Sequence, residues 1–285
     1  MPDPYLSIVI VTFNSQNFIK SCLSSIFTQG ERDFEVIVVD NGSIDNTVNF
    51  IKEKYPEVRL IENKRNLGAC KARNQAIEMA GGPWILTLDC DVVLKKNFLQ
   101  QIHKYIEKLP SKIGALQPKI LMPDKKTVYS CGIHLSRLLR RFHDIGQGKR
   151  DSRKFDKPKY IFGLCCAAAL YNRKMLRELK EPAGYFDERF FFLVEDVDLA
   201  WRAQNKGWKV IFFPEAICYH YGNSSDCNKK MRQYLCFRNR YYSIMKNEGF
   251  KKYLGRVLPL FLYDLPRLFY LLFTNRYIYK RLKGD

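Results

Sequence analysis

Apolar residues in the first 120 positions fall into short blocks that alternate between two rhythms. Leu6–Thr12 is a continuous run rich in β-branched residues, the pattern of a strand buried on both faces. Ile19, Cys22, Leu23, Ile26 and Phe27 follow at helical spacing, and Gly30 closes that helix. A second buried strand over 34–39 ends in the turn Asp40-Asn41-Gly42-Ser43. The pattern then predicts a short helix over 46–54, a strand over 58–61 and a helix over about 68–79. Gly81-Gly82-Pro83 breaks the chain before a strand over 84–88. Strands separated by helices of this length predict an α/β fold built on a parallel sheet with right-handed crossovers.

Beyond Leu121 the rhythm changes. A strand is expected over 127–135, an exposed basic loop over 138–158 and a buried stretch over 160–171. A helix over 194–205 and a strand over 209–213 follow. The chain then becomes a basic helical stretch from 228 and an apolar, proline-interrupted tail over 253–279. No internal repeat or low-complexity tract is visible.

Two hundred and eighty-five residues allow one large domain or two small ones. A hydrophobic share of 46% with 27% charged residues excludes a disordered chain. The net charge of +19 argues for an anionic partner, whether nucleic acid, a membrane face or a phosphorylated substrate. Residues 228–285 hold 14 Lys/Arg against 3 Asp/Glu, so +11 of that excess sits in the last fifth of the chain. Nine cysteines without C-x-x-C or zinc-finger spacing fit a reducing compartment, not a disulfide framework. The first residues lack the basic region of a signal peptide, and the apolar run 161–171 is too short to span a bilayer.

Ligands of open parallel sheets bind at the carboxyl ends of the strands. Four such ends carry polar groups: Thr12-Phe13-Asn14, Asp40-Asn41-Gly42-Ser43, Glu62-Asn63 and Asp89-Cys90-Asp91. Any one of them reads as an ordinary turn, but four at one rim suggest a site. The absence of G-x-G-x-x-G and G-x-x-x-x-G-K-[ST] disfavours dinucleotide redox chemistry and P-loop hydrolysis. Asp89 and Asp91 alternate after an apolar strand, so both carboxylates could share one hard cation, Mg2+ or Mn2+, at a diphosphate. Further on, Asp187, Glu188, Glu195, Asp196 and Asp198 crowd among aromatic residues, and such acids are costly to bury without purpose. Asp198 and Arg202 read as a surface i,i+4 pair, which leaves Asp196 available as a base tuned by apolar surroundings. His220, expected just after the strand that ends at Phe213-Pro214, is a lone histidine for which a structural role competes with metal ligation. His103, His134 and His143 read as structural.

Together these segments resemble glycosyltransferase family 2, the inverting nucleotide-sugar enzymes of the GT-A fold. The resemblance rests on Ser7-Ile8-Val9-Ile10-Val11-Thr12-Phe13-Asn14 and on Val38-Val39-Asp40-Asn41-Gly42-Ser43 with Asp45 and Thr47. Asn66-Leu67-Gly68, Ala72-Arg73-Asn74 and Leu88-Asp89-Cys90-Asp91 continue it in order. It closes with Gly184-Tyr185-Phe186-Asp187-Glu188, Glu195-Asp196-Val197-Asp198-Leu199 and His220, and covers about residues 5–225.

The resemblance implies that Thr12, Asn14, Asp40, Asn41 and Arg73 contact the nucleotide. It implies that Asp89 and Asp91 sit at the diphosphate and a divalent cation, Mn2+ or Mg2+, with His220 completing the shell. Asp196 would be the general base, and Asp187 and Glu195 would order the sugar or acceptor. The spacing from Gly184 to His220 most resembles the rhamnosyltransferase-like branch, which uses dTDP-rhamnose in cell-surface polysaccharide synthesis. Cys70-Lys71-Ala72-Arg73 departs from that branch, so the donor sugar stays open while the reaction class does not.

The expected organisation is a GT-A domain over 1–225 and a basic, partly amphipathic helical extension over 226–285. Two apolar blocks, 257–263 and 268–273, are split by Asp264, Pro266 and Arg267 and flanked by cations. That pattern predicts peripheral attachment to an anionic membrane surface on the cytoplasmic side, where a polyprenyl-diphosphate-linked or saccharide acceptor would be reached. Packing of the same blocks against the fold or a second copy competes with it. A nucleic-acid-binding protein using Arg238, Arg240, Lys251 and Lys252 beside Tyr241 and Tyr242 is the second class of reading, disfavoured by the lack of any nucleic-acid motif. A catalytically silent sugar-nucleotide-binding relative is the third, and the intact Asp89, Asp91 and Asp196 argue against it.

Overall fold

The computed structural model describes residues 4–136, 140–222, 228–255, 259–275 and 278. Strands β1 (Leu6–Thr12), β2 (Phe34–Asp40), β3 (Arg59–Glu62) and β4 (Trp84–Asp89) alternate with helices α1 (Ile19–Phe27), α2 (Thr47–Lys54) and α3 (Ala69–Met79). These four strands pair in parallel in the order β4-β1-β2-β3, as the alternating pattern requires. Successive residues of a strand face opposite ways. Ile8 and Ile10 therefore enter one core layer with Leu23 and Ile26 of α1, while Val9 enters the other with Ala72 and Ala76 of α3.

The second half extends the sheet. After β5 (Val92–Leu94) and α4 (Phe98–Ile106) come β6 (Ile113–Leu121) and β7 (Val128–Ser130), then β8 (Ile133–Ser136), β9 (Arg141–Asp144) and β10 (Lys159–Ile161). Next are β11 (Ala168–Asn172), α5 (Arg173–Leu179), α6 (Glu195–Asn205) and β12 (Lys209–His220). The full order is β10-β12-β6-β11-β4-β1-β2-β3, with β11 antiparallel between the parallel pairs. The expected mostly parallel, helix-flanked α/β sheet is what forms.

Several local expectations are corrected. The strand foreseen over 127–135 is two short strands broken at Cys131-Gly132. The loop foreseen over 138–158 contains β9, paired with β8 as a hairpin, and a 3-10 turn at Arg153–Phe155 with Phe155 buried. Residues 138 and 139 lie outside the described residues. Tyr160, expected inside, is 63% exposed because it sits on edge strand β10. The strand foreseen over 209–213 runs on to His220 past a bulge at Pro214-Glu215-Ala216, where proline has no N–H for the ladder.

The C-terminal part is helical: α7 (Lys229–Glu248), α8 (Phe250–Leu254), a π-helical segment Leu260–Asp264 and α9 (Leu265–Thr274). Buried Asp264 pairs with Arg240 at 3.2 Å and accepts from the Tyr253 hydroxyl at 2.9 Å. At the far end of α9, the Asn275 amide donates to the Lys230 carbonyl at 3.0 Å, so α9 runs back along α7. This leaves Phe261, Leu262, Phe269, Tyr270 and Phe273 exposed. Arg240 is buried, and the half-buried rings of Tyr241 and Tyr242 pack on Tyr253 and Phe190. Among the described residues no helix is long and apolar enough to cross a membrane.

Ile10 is fully buried between the sheet and α1, whereas Ile44 is 94% exposed. Ile10→Ala should cost about 2–5 kcal/mol of stability and Ile44→Ser less than about 0.5 kcal/mol, read from urea unfolding midpoints.

Candidate active site

The carboxyl ends of β1, β2 and β4 open on one cavity of about 380 Å³, within the range of ligand sites. Its wall includes Thr12, Phe13, Asn41, Gly68, Arg73, Asp89, Glu195, Asp196 and His220. It also includes groups that sequence reasoning did not single out: Tyr129, Cys165, Phe191, Phe192, Leu193, Met231 and Arg232. All but Met231 and Arg232, which open the long helix over 229–248, lie on short or irregular segments, where no periodicity announces which side chains converge.

The β1 and β2 ends are organised by hydrogen bonds among themselves. Asp40 is buried and accepts from the Thr12 hydroxyl at 2.9 Å, the Gly42 N–H at 3.1 Å and the Ser43 N–H at 2.8 Å. Asn14 accepts from the Ile44 N–H at 3.0 Å and so staples the two turns together. Asn41 donates to the Gly68 carbonyl at 3.2 Å and accepts from the Asn63 amide at 3.0 Å. Thr12 and Asn41 reach the cavity wall, while Asp40 and Asn14 brace them and are not among the lining residues. Gly68 has φ of +87°, and a Cβ there would collide with Phe191, so only glycine fits at the start of α3.

Arg73, on α3, is buried between two acids. It donates to Glu195 at 2.5 Å and to Asp89 at 3.0 Å. These two bonds hold the ends of β4 and α6 together. Glu195 keeps its second oxygen, Oε2, buried and without a hydrogen-bond partner among the described residues.

Asp89, Asp91 and His220 are brought together by strand pairing. β5 pairs antiparallel with the end of β12, His220 opposite Val92, and the Tyr221 N–H donates to the Asp91 carbonyl at 3.1 Å. His220 Nε2 lies 3.1 Å from Asp91 Oδ1 and 3.8 Å from Asp89 Oδ2. One ligand atom from each residue falls within 4.8 Å of the others. Two carboxylates and one imidazole form a donor set suited to Mn2+ or Mg2+, so the residues fit a divalent cation. Burial pulls the His220 imidazole down, but the Asp91 contact and the charges of Asp89 and Asp91 prevail and raise its pKa. The Tyr129 ring stands edge-on to it at 4.3 Å and fixes its plane.

Asp196 opens α6 at the cavity wall. Its oxygens accept from the Val197 N–H at 2.8 Å and, more loosely, from the Cys166 N–H at 3.5 Å. Burial first, then the charges of Glu195 and Asp144, push its carboxyl far above the usual range, against the opposing pull of Val197 and Arg73. Asp144, on β9, is a further acid that sequence reasoning passed over because its segment read as loop.

The remaining acids serve elsewhere. Asp187 is fully buried, bonded by Arg189 at 2.7 Å, Lys246 at 2.9 Å and the Tyr242 hydroxyl at 3.0 Å. Burial opposes its ionisation, but Arg189 and Lys246 hold the carboxyl well below the ordinary range. It is not among the cavity-lining residues, and its contacts tie α7 to the segment before α6. Asp198 and Arg202, expected as a surface pair, are buried, with Arg202 donating to the Leu179 and Tyr185 carbonyls at 2.6 Å each. The eight cysteines among the described residues form no disulfide with one another.

The family model of glycosyl transferase family 2 matches residues 7–180. The N-acetylglucosaminyl-diphospho-decaprenol L-rhamnosyltransferase of Mycobacterium tuberculosis is 29% identical over 238 residues, an alignment covering 76% of this chain and 76% of that protein. A mannosyltransferase of Pyrobaculum calidifontis, solved with GDP-Man and Mn2+, superposes with a TM-score of 0.60 at 19% identity, covering 94% of this chain and 74% of that one. Staphylococcus aureus TarS 1-349 with UDP-GlcNAc gives 0.57 at 18% identity, covering 91% and 73%. At such identities the structural likeness speaks to the fold, which is GT-A. The motif order, the fold and the family match agree: this chain belongs to glycosyl transferase family 2 and is a glycosyltransferase.

Proposed function

We propose that this glycosyltransferase moves a sugar, with inversion, from a nucleoside-diphosphate donor to a saccharide or polyprenyl-diphosphate-linked acceptor. The observation that carries the reading is a single cavity lined by Asp89 and His220, with Asp91 beside them, and by Asp196, a carboxylate bonded, among the described residues, by backbone N–H groups. Thr12 and Asn41, braced by Asp40 and Asn14, form the nucleoside end, with Arg73 beside the diphosphate. A Mn2+ or Mg2+ ion held by Asp91, Asp89 and His220 would neutralise charge on the leaving diphosphate. The acceptor oxygen bonds to the anomeric carbon as the bond from that carbon to the diphosphate oxygen breaks. The electron pair leaves with the diphosphate, and the acceptor proton passes to Asp196, whose raised pKa suits a base near neutral pH. Glu195 Oε2 offers an acceptor to a sugar hydroxyl. The mycobacterial relative, named as an L-rhamnosyltransferase of an N-acetylglucosaminyl-diphospho-decaprenol, supports rhamnose as the sugar and a polyprenyl-diphosphate-linked acceptor; dTDP-rhamnose is the donor that the family resemblance implies.

Residues 1–225 carry this chemistry, and the extension over 226–285 brings it to the cytoplasmic face of a membrane. The exposed stripe of Phe261, Leu262, Phe269, Tyr270 and Phe273 supports that reading. Exposed Lys251 and Lys252 lie near its start, joined by the Tyr253–Asp264 bond, and Lys229 and Lys230 near its end. Each cation near an anionic leaflet contributes about 1 kcal/mol. Met231 and Arg232, next to that second pair, line the cavity, so a lipid-borne diphosphate would meet the basic helix at the mouth of the site. The flanking cations Arg256, Arg276, Lys280, Arg281 and Lys283 lie outside the described residues.

Asp196→Asn should lower kcat by about 10²–10⁴-fold. Thermal stabilisation by the nucleotide with Mn2+ should persist, since the variant keeps the donor end of the cavity. A near wild-type kcat would remove Asp196 from the base role. A base works deprotonated, so kcat/KM should rise with pH as the free enzyme loses that proton. Its acid limb should lie well alkaline of the roughly 3.9 of an ordinary aspartate. A limb near pH 4 would assign the base to another group. In liposome flotation at low salt, the full chain should rise with anionic vesicles, and Phe261→Ser, Phe269→Ser and Phe273→Ser combined should stay at the bottom. Flotation unchanged by the triple substitution would reject the stripe as the anchor.

A further inference from the structure

The loop that delivers Glu195 and Asp196 is held in a conformation its own residues disfavour. Phe191, Leu193 and Val194 have φ of 64°, 71° and 71°, and Val194 is β-branched, the side chain least suited to that region. No glycine interrupts the run from Arg189 to Glu195. Something outside the loop must hold it, and the contacts identify what does. The Asn239 amide, on α7 and fully buried, donates to the Phe190 carbonyl at 3.0 Å, the Phe192 carbonyl at 2.8 Å and the Leu193 carbonyl at 2.7 Å. Its neighbour Arg238 donates to the carbonyls of Arg189 and Phe190 at 2.9 Å each and to Asn239 Oδ1 at 2.8 Å, which orients the amide with its N–H groups toward the loop.

We infer that Asn239 is a positioning residue for the transfer reaction: it gathers three carbonyls of the 190–193 loop and so sets where Asp196 and Glu195 stand at the cavity wall. Aspartate, of the same shape, cannot do this. A carboxylate donates nothing to three carbonyls and repels them. The inference rests on the reading of Asp196 as base, and α7 acts through the loop without reaching the reacting atoms itself. The loop faces the cavity on its other side through Phe191, Phe192 and Leu193, so its displacement also reshapes the acceptor end of the wall. The nucleoside end, on the turns after β1 and β2, makes no bond to Asn239.

Asn239→Asp and Asn239→Ala in the full chain should lower kcat at least about tenfold, in keeping with the cost of a misplaced catalytic group. The dissociation constant for the nucleoside diphosphate with Mn2+ should change less than about twofold. The acid limb of kcat/KM should also move, because Asp196 would leave the burial and the charges of Glu195, Asp144 and Arg73 that set its pKa. Amide hydrogen exchange should accelerate in peptides covering 189–198 and stay unchanged over β1, β2 and β4, a readout that needs no turnover. Asn239→Gln, which keeps the donor, should recover part of the loss. The inference is overturned if exchange in 189–198 matches the wild type in Asn239→Asp. It is equally overturned if all three variants lose kcat, nucleotide affinity and fold together, which would make Asn239 a core residue only. If exchange accelerates as stated but wild-type enzyme turns over no nucleotide sugar, the clamp stands and the reading of the reaction fails.

Discussion

The site depends on one buried guanidinium. Arg73 is 4% exposed and stands between Asp89 at the end of β4 and Glu195 at the start of α6. Asp91, Asp144 and Asp196 crowd the same region. Removing an ion from water into a protein interior costs several kcal/mol unless a partner compensates it. Without a cation at this point the β4 and α6 ends would repel each other. Its position is fixed from below: Gly68 admits the tight entry into α3, Asn41 bonds the Gly68 carbonyl, and β1 and β2 carry the turn that holds Asn41. The sheet thus reaches the chemistry through a helix side chain as well as through its strand ends.

The same electrostatic solution recurs on the far side of α6. Lys246 of α7 lies 2.6 Å from Glu181, 2.9 Å from Asp187 and 3.0 Å from Asp198. Asn247 adds a bond to Asp198 at 2.8 Å. Glu181, Asp187 and Asp198 therefore anchor α7. Part of the positive excess in the last fifth of the chain is consumed inside the fold, by Arg238, Arg240 and Lys246, whereas Lys229, Lys230, Lys251 and Lys252 face solvent. A charge count along the chain cannot separate the two.

Where regular periodicity carried the information, the sequence was sufficient. The first four strands and three helices lie where their apolar spacing predicts, and for β1, β2 and β4 burial on both faces leaves one pairing register. The trio Asp89, Asp91 and His220 was grouped by the family resemblance and not by any spacing rule. Its assembly depends on a three-residue bulge at Pro214 and on a short strand, β5, that turns back beside β12. Asp198 and Arg202 looked like a surface pair because i,i+4 spacing says nothing of which face a helix turns inward. Asn239 gave no signal at all, since its partners are main-chain carbonyls 46 to 49 positions away. Backbone acceptors exist at every residue and leave no trace in composition.

Glu195 and Asp196 show how far environment, more than residue type, divides labour here. They are adjacent on the first turn of α6, where the helix dipole favours both as anions. A step of one residue turns the side chain by about 100° around the helix. That rotation sends Glu195 into the grip of Arg73 and leaves Asp196 with backbone donors, an apolar wall and two acidic neighbours. The dipole is worth about 0.3–1 kcal/mol at ordinary sites. It does not offset desolvation and like-charge repulsion at Asp196, whose pKa rises. In this chain the two environments are set within a single peptide unit, so the orientation of the loop entering α6 decides which acid meets Arg73 and which meets the backbone donors of the cavity wall.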